Sequence, residues 1–225
     1  MAAERAVEFV QNGMVIGLGT GSTVHWAILQ LGERVQQGLQ VRAIGTSSWT
    51  EELAHRLHIP LVTFRDVKEL DVAIDGADAV AADFSLTKGG GGALLREKLV
   101  ASAAERFIVV VDHSKRVQYL GQFRLPVEVV PFAWELTQGR IEKFGCRAYL
   151  RNQDKAPFVT DNHNYIMDCD FGEIRDPASL HRALKALPGV VETGLFIGMA
   201  HAVIDSDGED VKVEFAEKQG THRLS

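Results

Sequence analysis

Phe107-Ile-Val-Val-Val111 places five apolar residues in a row, four of them β-branched, and stops abruptly at Asp112-His-Ser-Lys115. A strand with one wet face alternates apolar and polar residues. A run without alternation suits a strand buried on both faces, and such strands belong to parallel sheets covered by helices. The upstream sequence fits that constraint. Short apolar runs at Met14–Leu18, Gln40–Thr46, Leu61–Phe64 and Asp71–Asp75 read as further strands, and helical stretches lie between them. These helices are expected over 24–37, over 49–58 (WTEELAHRLH, capped by Ser47 or Ser48 and ended by Pro60), and over 93–104 (ALLREKLVASAA). Alternating strand and helix predicts an α/β fold, a Rossmann-like parallel sheet.

The rhythm changes after about Gln122. Leu125–Pro131 reads as a strand, Phe132–Phe144 as a helix closed by Gly145, and Cys146–Arg151 as a strand. Phe158–Thr160 and Tyr165–Phe171 flank Asp161-Asn-His-Asn164 as the arms of a hairpin. Pro177 opens a helix that Pro188-Gly189 stops, and Val190–Phe196 is a last strand. The order β-α-β-β-α-β is that of the ferredoxin-like split unit. Two domains are therefore expected: a Rossmann-like domain over 1–123, completed by 195–225, and a smaller ferredoxin-like α+β domain over 124–194. A hairpin, Ala202–Asp205 and Val211–Phe215 turning at Asp207-Gly208, is expected to return to the first domain.

Composition narrows the function. The formal net charge of −6 disfavours a broad nucleic-acid footprint, which needs a basic surface. No apolar run approaches a membrane span. The first ten residues carry Glu4, Arg5 and Glu8 and lack the apolar core of a signal peptide, so a cytoplasmic location is expected. Cys146 and Cys169 form no CxxC motif and read as core thiols. His55 and His58 lack the glutamate and third ligand of a zinc motif, so no metal site is expected.

Four polar segments follow apolar strands or open helices. Gly17-Leu-Gly-Thr-Gly-Ser-Thr23 joins a strand to a helix; its glycines allow N–H groups to point at an anion, and Thr20, Ser22 and Thr23 add hydroxyls. Ser22 stands where a dinucleotide fingerprint needs glycine, and no Gly-Lys-Ser/Thr of a Walker loop follows. The alternative is a turn that serves packing alone. Asp75-Gly-Ala-Asp78 sets two carboxylates at a strand's C-terminal end, able to move hydroxyl protons, or else simply a turn. Lys88-Gly-Gly-Gly-Gly92 implies close approach of backbone to a ligand, with Lys88 able to stabilise an oxyanion. Glu97, early in the following helix, reads either as a group facing that pocket or as a surface charge between Arg96 and Lys98. In Val111-Asp-His-Ser-Lys115, Lys115 is a candidate phosphate contact, and His113 reads as a solvated or capping residue.

Taken together, GTGST (19–23), DGAD (75–78), KGGGGALLREK (88–98) and VDHSK (111–115) resemble type A ribose-5-phosphate isomerase. LPVEVVP (125–131), TDN (160–162) and PGVVETGLF (188–196) match it too, in the right order over nearly the whole chain. The resemblance implies an aldose–ketose isomerase that interconverts D-ribose 5-phosphate and D-ribulose 5-phosphate without a cofactor or metal. It implies a homodimer or dimer of dimers, in the non-oxidative pentose phosphate pathway. It puts Glu97 in the role of proton-shuttling base and Lys88 in that of oxyanion stabiliser. It gives Asp75 and Asp78 ring opening and proton movement. Substrate contacts are implied for Thr20, Gly21, Ser22, Thr23, Asp75, Gly76, Ala77, Asp78, Lys88, Gly89, Gly90, Gly91 and Lys115, with Ser47 and Ser48 as weaker phosphate candidates. Members commonly begin several residues earlier with a lysine, whereas this chain opens Met1-Ala-Ala-Glu-Arg5, so no N-terminal cation is expected at the phosphate.

The competing reading is a non-catalytic sugar-phosphate sensor, motivated by the phosphate loop. A sensor has no need for Glu97 with Lys88, and no helix-turn-helix accompanies the loop. A nucleotide-dependent oxidoreductase rests on the glycine loop alone.

Overall fold

The computed structural model describes residues 1–216. In chain order the elements are α1 (Ala2–Val7), β1 (Val15–Leu18), α2 (Ser22–Gln36), β2 (Arg42–Gly45), α3 (Ser48–Arg56) and β3 (Leu70–Asp75). Next come β4 (Ala79–Val80), β5 (Leu86–Thr87), α4 (Leu94–Ser102), β6 (Ala104–Asp112), β7 (Leu125–Val129), α5 (Trp134–Glu142) and β8 (Arg147–Leu150). The remainder is β9 (Asn152–Gln153), β10 (Ala156–Pro157), β11 (Tyr165–Asp170), α6 (Pro177–Lys185), β12 (Val190–Thr193), β13 (Leu195–Phe196), β14 (Ala202–Ser206) and β15 (Val211–Phe215).

The main sheet runs β15-β14-β6-β3-β1-β2, parallel except for the antiparallel β15. β6 is buried on both faces, as its unbroken apolar run demands. Ile108 and Val110 join the core under α1, α2 and α3, while Phe107, Val109 and Val111 join the core that contains Val100 and Ala101 of α4. The chain proceeds from β1 outward to β2, then crosses back to β3 on the other side of β1. Loops leaving β1 and β3 therefore diverge, and open α/β sheets bind ligands in the crevice at that reversal.

A second, wholly antiparallel sheet has the order β12-β7-β11-β8. With α5 and α6 as its connections, this is the split β-α-β order expected from sequence. Its core takes Val127 and Val129 of β7, Met167 and Cys169 of β11, Ile141 of α5 and Leu184 of α6. Cys146 and Cys169 are both buried and free.

Three expectations are corrected. Leu61–Phe64 makes only a single parallel bridge, Leu61 to Ala43, because one pairing beside β2 is all the following turn at Thr63–Asp66 allows. Phe158–Thr160 is not a hairpin arm. β11 pairs with β7 and β8 instead, and the 152–157 segment forms its own small hairpin, β9–β10. Val190–Phe196 is two strands in two sheets, divided at Gly194. A Cβ there would lie 2.2 Å from the carbonyl oxygen of Lys88, so only glycine lets the chain cross. β13 then pairs with β5, and β5 with β4, in a three-stranded sheet not foreseen. The returning hairpin forms as expected, with β14 parallel to β6 and β15 beside it. Residues 217–225, counted in the returning segment, lie outside the described residues.

Candidate active site

The β4–β5 pair brings the second and third sequence segments together. Ala79 registers with Thr87, so Asp78 just before β4 stands opposite Lys88 just after β5. The backbone N–H of Lys88 donates to Gly194 O (2.8 Å), and that of Asp78 to Thr87 O (2.8 Å). Lys88 is 2% exposed. Its Nζ lies 3.0 Å from Asp75 Oδ2 and 3.2 Å from Glu97 Oε1, and donates to Gly76 O at 2.5 Å. Glu97 projects from the first turn of α4 and is 4% exposed, so the surface-charge reading fails. Its Oε2 is buried without a hydrogen-bond partner among the described residues.

Two carboxylates thus share one ammonium out of water. Burial tends to push Lys88 down, but the attraction of Asp75 and then Glu97 outweighs it and raises Lys88 to about 12. Burial also raises Asp75 and Glu97, the latter to about 8 despite the pull of Lys88. Asp75 accepts from Lys88, from the Gly76 N–H at 2.7 Å and from the Thr20 N–H at 3.2 Å. Among the described residues Asp75 thus has three donors and Glu97 one, Lys88.

The loop after β1 bends against this cluster. At Gly19 an added Cβ would lie 2.0 Å from Asp75 Cγ, so the first loop can approach the second only with glycine. Gly21 has φ +130, a left-handed backbone that opens α2. The Thr20 hydroxyl is not a free donor, contrary to expectation. It bonds the hydroxyls of Thr46 (2.7 Å), Ser47 (2.8 Å) and Thr50 (3.0 Å), a cluster that ties the loop to the start of α3. The Ser22 and Thr23 hydroxyls stay unengaged by protein among the described residues, at the N-terminus of α2 where backbone N–H groups favour an anion.

One cleft collects Thr20, Gly21, Ser22, Thr23 and Val24 from the first segment, and Gly76, Ala77 and Asp78 from the second. Lys88, Gly89, Gly90, Gly91, Glu97 and Lys115 complete its lining. Of the residues singled out from sequence for substrate contact, all lie there except Ser47, Ser48 and Asp75, the last of which sits behind Lys88 with 3% exposure. Ser47 caps α3 by accepting from the Thr50 N–H, and the Ser48 N–H donates to Asp161 Oδ2 at 2.8 Å; neither lines the cleft. His113 is 64% exposed at its side chain and grazes Asp205 at 3.4 Å, in keeping with a solvated residue.

Sequence reasoning missed Val24 in the lining and the groups that hold the glycine run from behind. Arg151 donates to Gly89 O and Gly90 O, and Arg96 bonds Asn162 and the Asp161 carbonyl. Arg151 stands 61 and 62 residues from those carbonyls, so no local pattern links them.

Comparison with known proteins identifies the family. Residues 42–209 match the family described as ribose 5-phosphate isomerase A (phosphoriboisomerase A). The chain belongs to that family. It is 50% identical over 213 residues to ribose-5-phosphate isomerase A of Bacillus mycoides, spanning 94% of this chain and 96% of the relative. The solved ribose 5-phosphate isomerase A of Methanocaldococcus jannaschii superposes with a TM-score of 0.91 at 40% identity, covering 95% of this chain and 96% of that one. A D-ribose-5-phosphate isomerase solved in complex with phospho-erythronic acid superposes at 0.92, also at 40% identity, over 95% and 96%. This member of the family is an isomerase with a parallel central sheet, and no helix among its described residues is long and apolar enough to cross a membrane.

Proposed function

We propose that this isomerase interconverts D-ribose 5-phosphate and D-ribulose 5-phosphate through a cis-enediolate, in the non-oxidative branch of the pentose phosphate pathway. The observation that carries the reading is Glu97: a buried carboxyl at the wall of the cleft, one oxygen on Lys88 and the other unpartnered among the described residues. In the open-chain aldose, Glu97 takes the C2 proton as the C2–H electron pair forms the C1–C2 double bond and charge passes to the O1 oxygen. The same carboxylic acid returns a proton to C1, and O2 becomes the ketone once its own proton has moved to O1. A group that must act as base and then acid works best with a pKa near the working pH, and burial brings Glu97 to about 8.

Lys88 stands 3.2 Å from that carboxylate and stabilises the enediolate oxygen. Asp78 lines the cleft and serves ring opening and hydroxyl proton movement, with Asp75 behind it fixing Lys88. The phosphate sits at the N-terminus of α2, against Ser22, Thr23 and Lys115, where helix polarity and a cation favour it. The relative solved with phospho-erythronic acid holds a four-carbon phosphorylated acid. Such an acid resembles the enediolate, and it is expected to compete with substrate here and to bind more tightly than the sugar. The reading carries a cytoplasmic location, a homodimer or dimer of dimers, and catalysis by residues 1–123 and 195–225 with 124–194 as a separate smaller domain.

A proton NMR time course in D2O with EDTA tests it. Ribulose 5-phosphate formation with deuterium entering C1 is expected. Binding of ribose 5-phosphate without turnover would leave the sensor reading; no binding would remove both.

A further inference from the structure

The glycine run is held from outside the cleft by a pair that no step above uses. Arg151 follows β8 and Asp168 lies on the neighbouring β11. Arg151 Nε and Nη2 donate to Asp168 Oδ2 (2.9 Å) and Oδ1 (2.5 Å), a fork-to-fork pair that fixes the guanidinium plane. The remaining nitrogen, Nη1, donates to Gly89 O and to Gly90 O, both at 3.0 Å. Phe158 closes over the assembly. Its N–H donates to Arg151 O (2.8 Å), its ring centroid lies 5.8 Å from the guanidinium, and its edge abuts Gly92, where a Cβ would come within 2.4 Å.

A trans peptide unit is planar, with its C=O and N–H on opposite sides. Pinning Gly89 O to Arg151 therefore turns the Gly90 N–H the other way, and there it donates to Asp78 Oδ2 at 2.8 Å. Pinning Gly90 O turns the Gly91 N–H away from Arg151 in the same manner. Gly91 lines the cleft, and its N–H has no protein acceptor among the described residues. Four glycines in a row have no intrinsic preference for such an alignment and many ways to lose it.

On the isomerase reading given above, we infer that Arg151, oriented by Asp168, is a positioning residue for the isomerisation. It sets the peptide planes of Gly89–Gly91 so that the Gly90 N–H fixes Asp78 and the Gly91 N–H meets a substrate hydroxyl or enediolate oxygen. The small antiparallel sheet thereby shapes the reacting end of the cleft while none of its own side chains lines it.

The test compares wild type with Arg151→Met and Arg151→Lys for kcat, KM and the amide resonances of Gly90 and Gly91 in glycine-labelled protein. In Arg151→Met, kcat is expected to fall about tenfold or more with KM changed by less than about threefold, since misplaced groups cost rate before binding. Both glycine amides should shift. Lysine reaches one carbonyl but not both, so Arg151→Lys should recover part of the rate. Either kcat within about twofold of wild type in both variants, or a rate loss with both amides unmoved, would overturn the proposal. Should Arg151→Met fail to fold, Arg151→Lys decides by the same two criteria, with a loss of about threefold or more expected. Wild type assayed alongside separates this outcome from failure of the isomerase reading, in which wild type itself forms no ribulose 5-phosphate.

Discussion

Replacing Glu97 by glutamine is expected to make the protein more stable and nearly inactive at once, with the stabilisation growing as pH rises. Folding carries this carboxyl from the ordinary carboxylate range to about 8, because burial outweighs the attraction of Lys88. Between pH 4.5 and 8 the folded chain holds a proton that the unfolded chain has released, so stability falls as pH rises through that window. The slope is at most just over 1 kcal/mol for each pH unit. Below the window both states are protonated, and above it both are ionised. Glutamine is the neutral isostere of the protonated acid and titrates nowhere. The variant should therefore match wild type near pH 5 and exceed it by on the order of 2–4 kcal/mol at pH 8, Asp75 sharing the cluster and taking part of the effect. Urea unfolding at pH 5, 6, 7 and 8, followed by circular dichroism and fluorescence, measures the difference. Loss of the proton shuttle should lower turnover by about 10²–10⁴-fold, with substrate binding largely kept. Parallel stability curves for the two proteins across this range would refute the burial argument, and near-normal turnover would refute the base assignment.

The pH profile of wild-type kcat/KM should rise as Glu97 ionises, on a limb near pH 8; a limb finishing below about pH 6 would place the base elsewhere. Lys88→Met strands Asp75 and Glu97 together without their cation, and a buried pair broken this way costs about 3–5 kcal/mol. Calorimetry should show a Tm lower by about 10 °C, since roughly 2–4 °C accompanies each kcal/mol at this chain length, and turnover should fall about 10²–10³-fold. Gly19→Ala drives a methyl into Asp75, so about 1–3 kcal/mol of stability and most activity should be lost together in thermal unfolding and turnover assays. By contrast Gly139→Ala, inside α5 with open space around it, should stabilise by about 0.5–1 kcal/mol with turnover unchanged.

The elements legible in the sequence were those whose stability is written locally. β6 announces itself because both of its faces are covered, so each successive residue had to be apolar. α3 announces its start because Ser47 caps it. The β4–β5–β13 sheet was invisible because its strands are two residues long and exist only where three distant segments meet. The same distinction divides the site. Lys88, Asp78 and Glu97 stand in short motifs whose residue types state their chemistry, whereas Arg151 and Asp168 look like ordinary charges on a strand until the fold sets them behind the glycine run. Thr20 shows the limit from the other side: a hydroxyl in a phosphate-type loop reads as a ligand, but the start of α3 claims it.

The parallel pairing of β14 with β6 has a consequence for how the protein is made. Ala202 lies beside Ile108, and the stretch between them, 109–201, includes the whole antiparallel sheet. On a ribosome, that sheet can assemble while β6 still waits with one edge bare, an apolar strand of the kind that templates aggregation. Only when the stretch through Ser206 has emerged can the edge be covered, and β15 then finishes it. Synthesis that stalls between Phe196 and Ala202 would leave every lining residue of the cleft already present on a chain whose main sheet is unprotected, so the last strands act as the guard on solubility during translation.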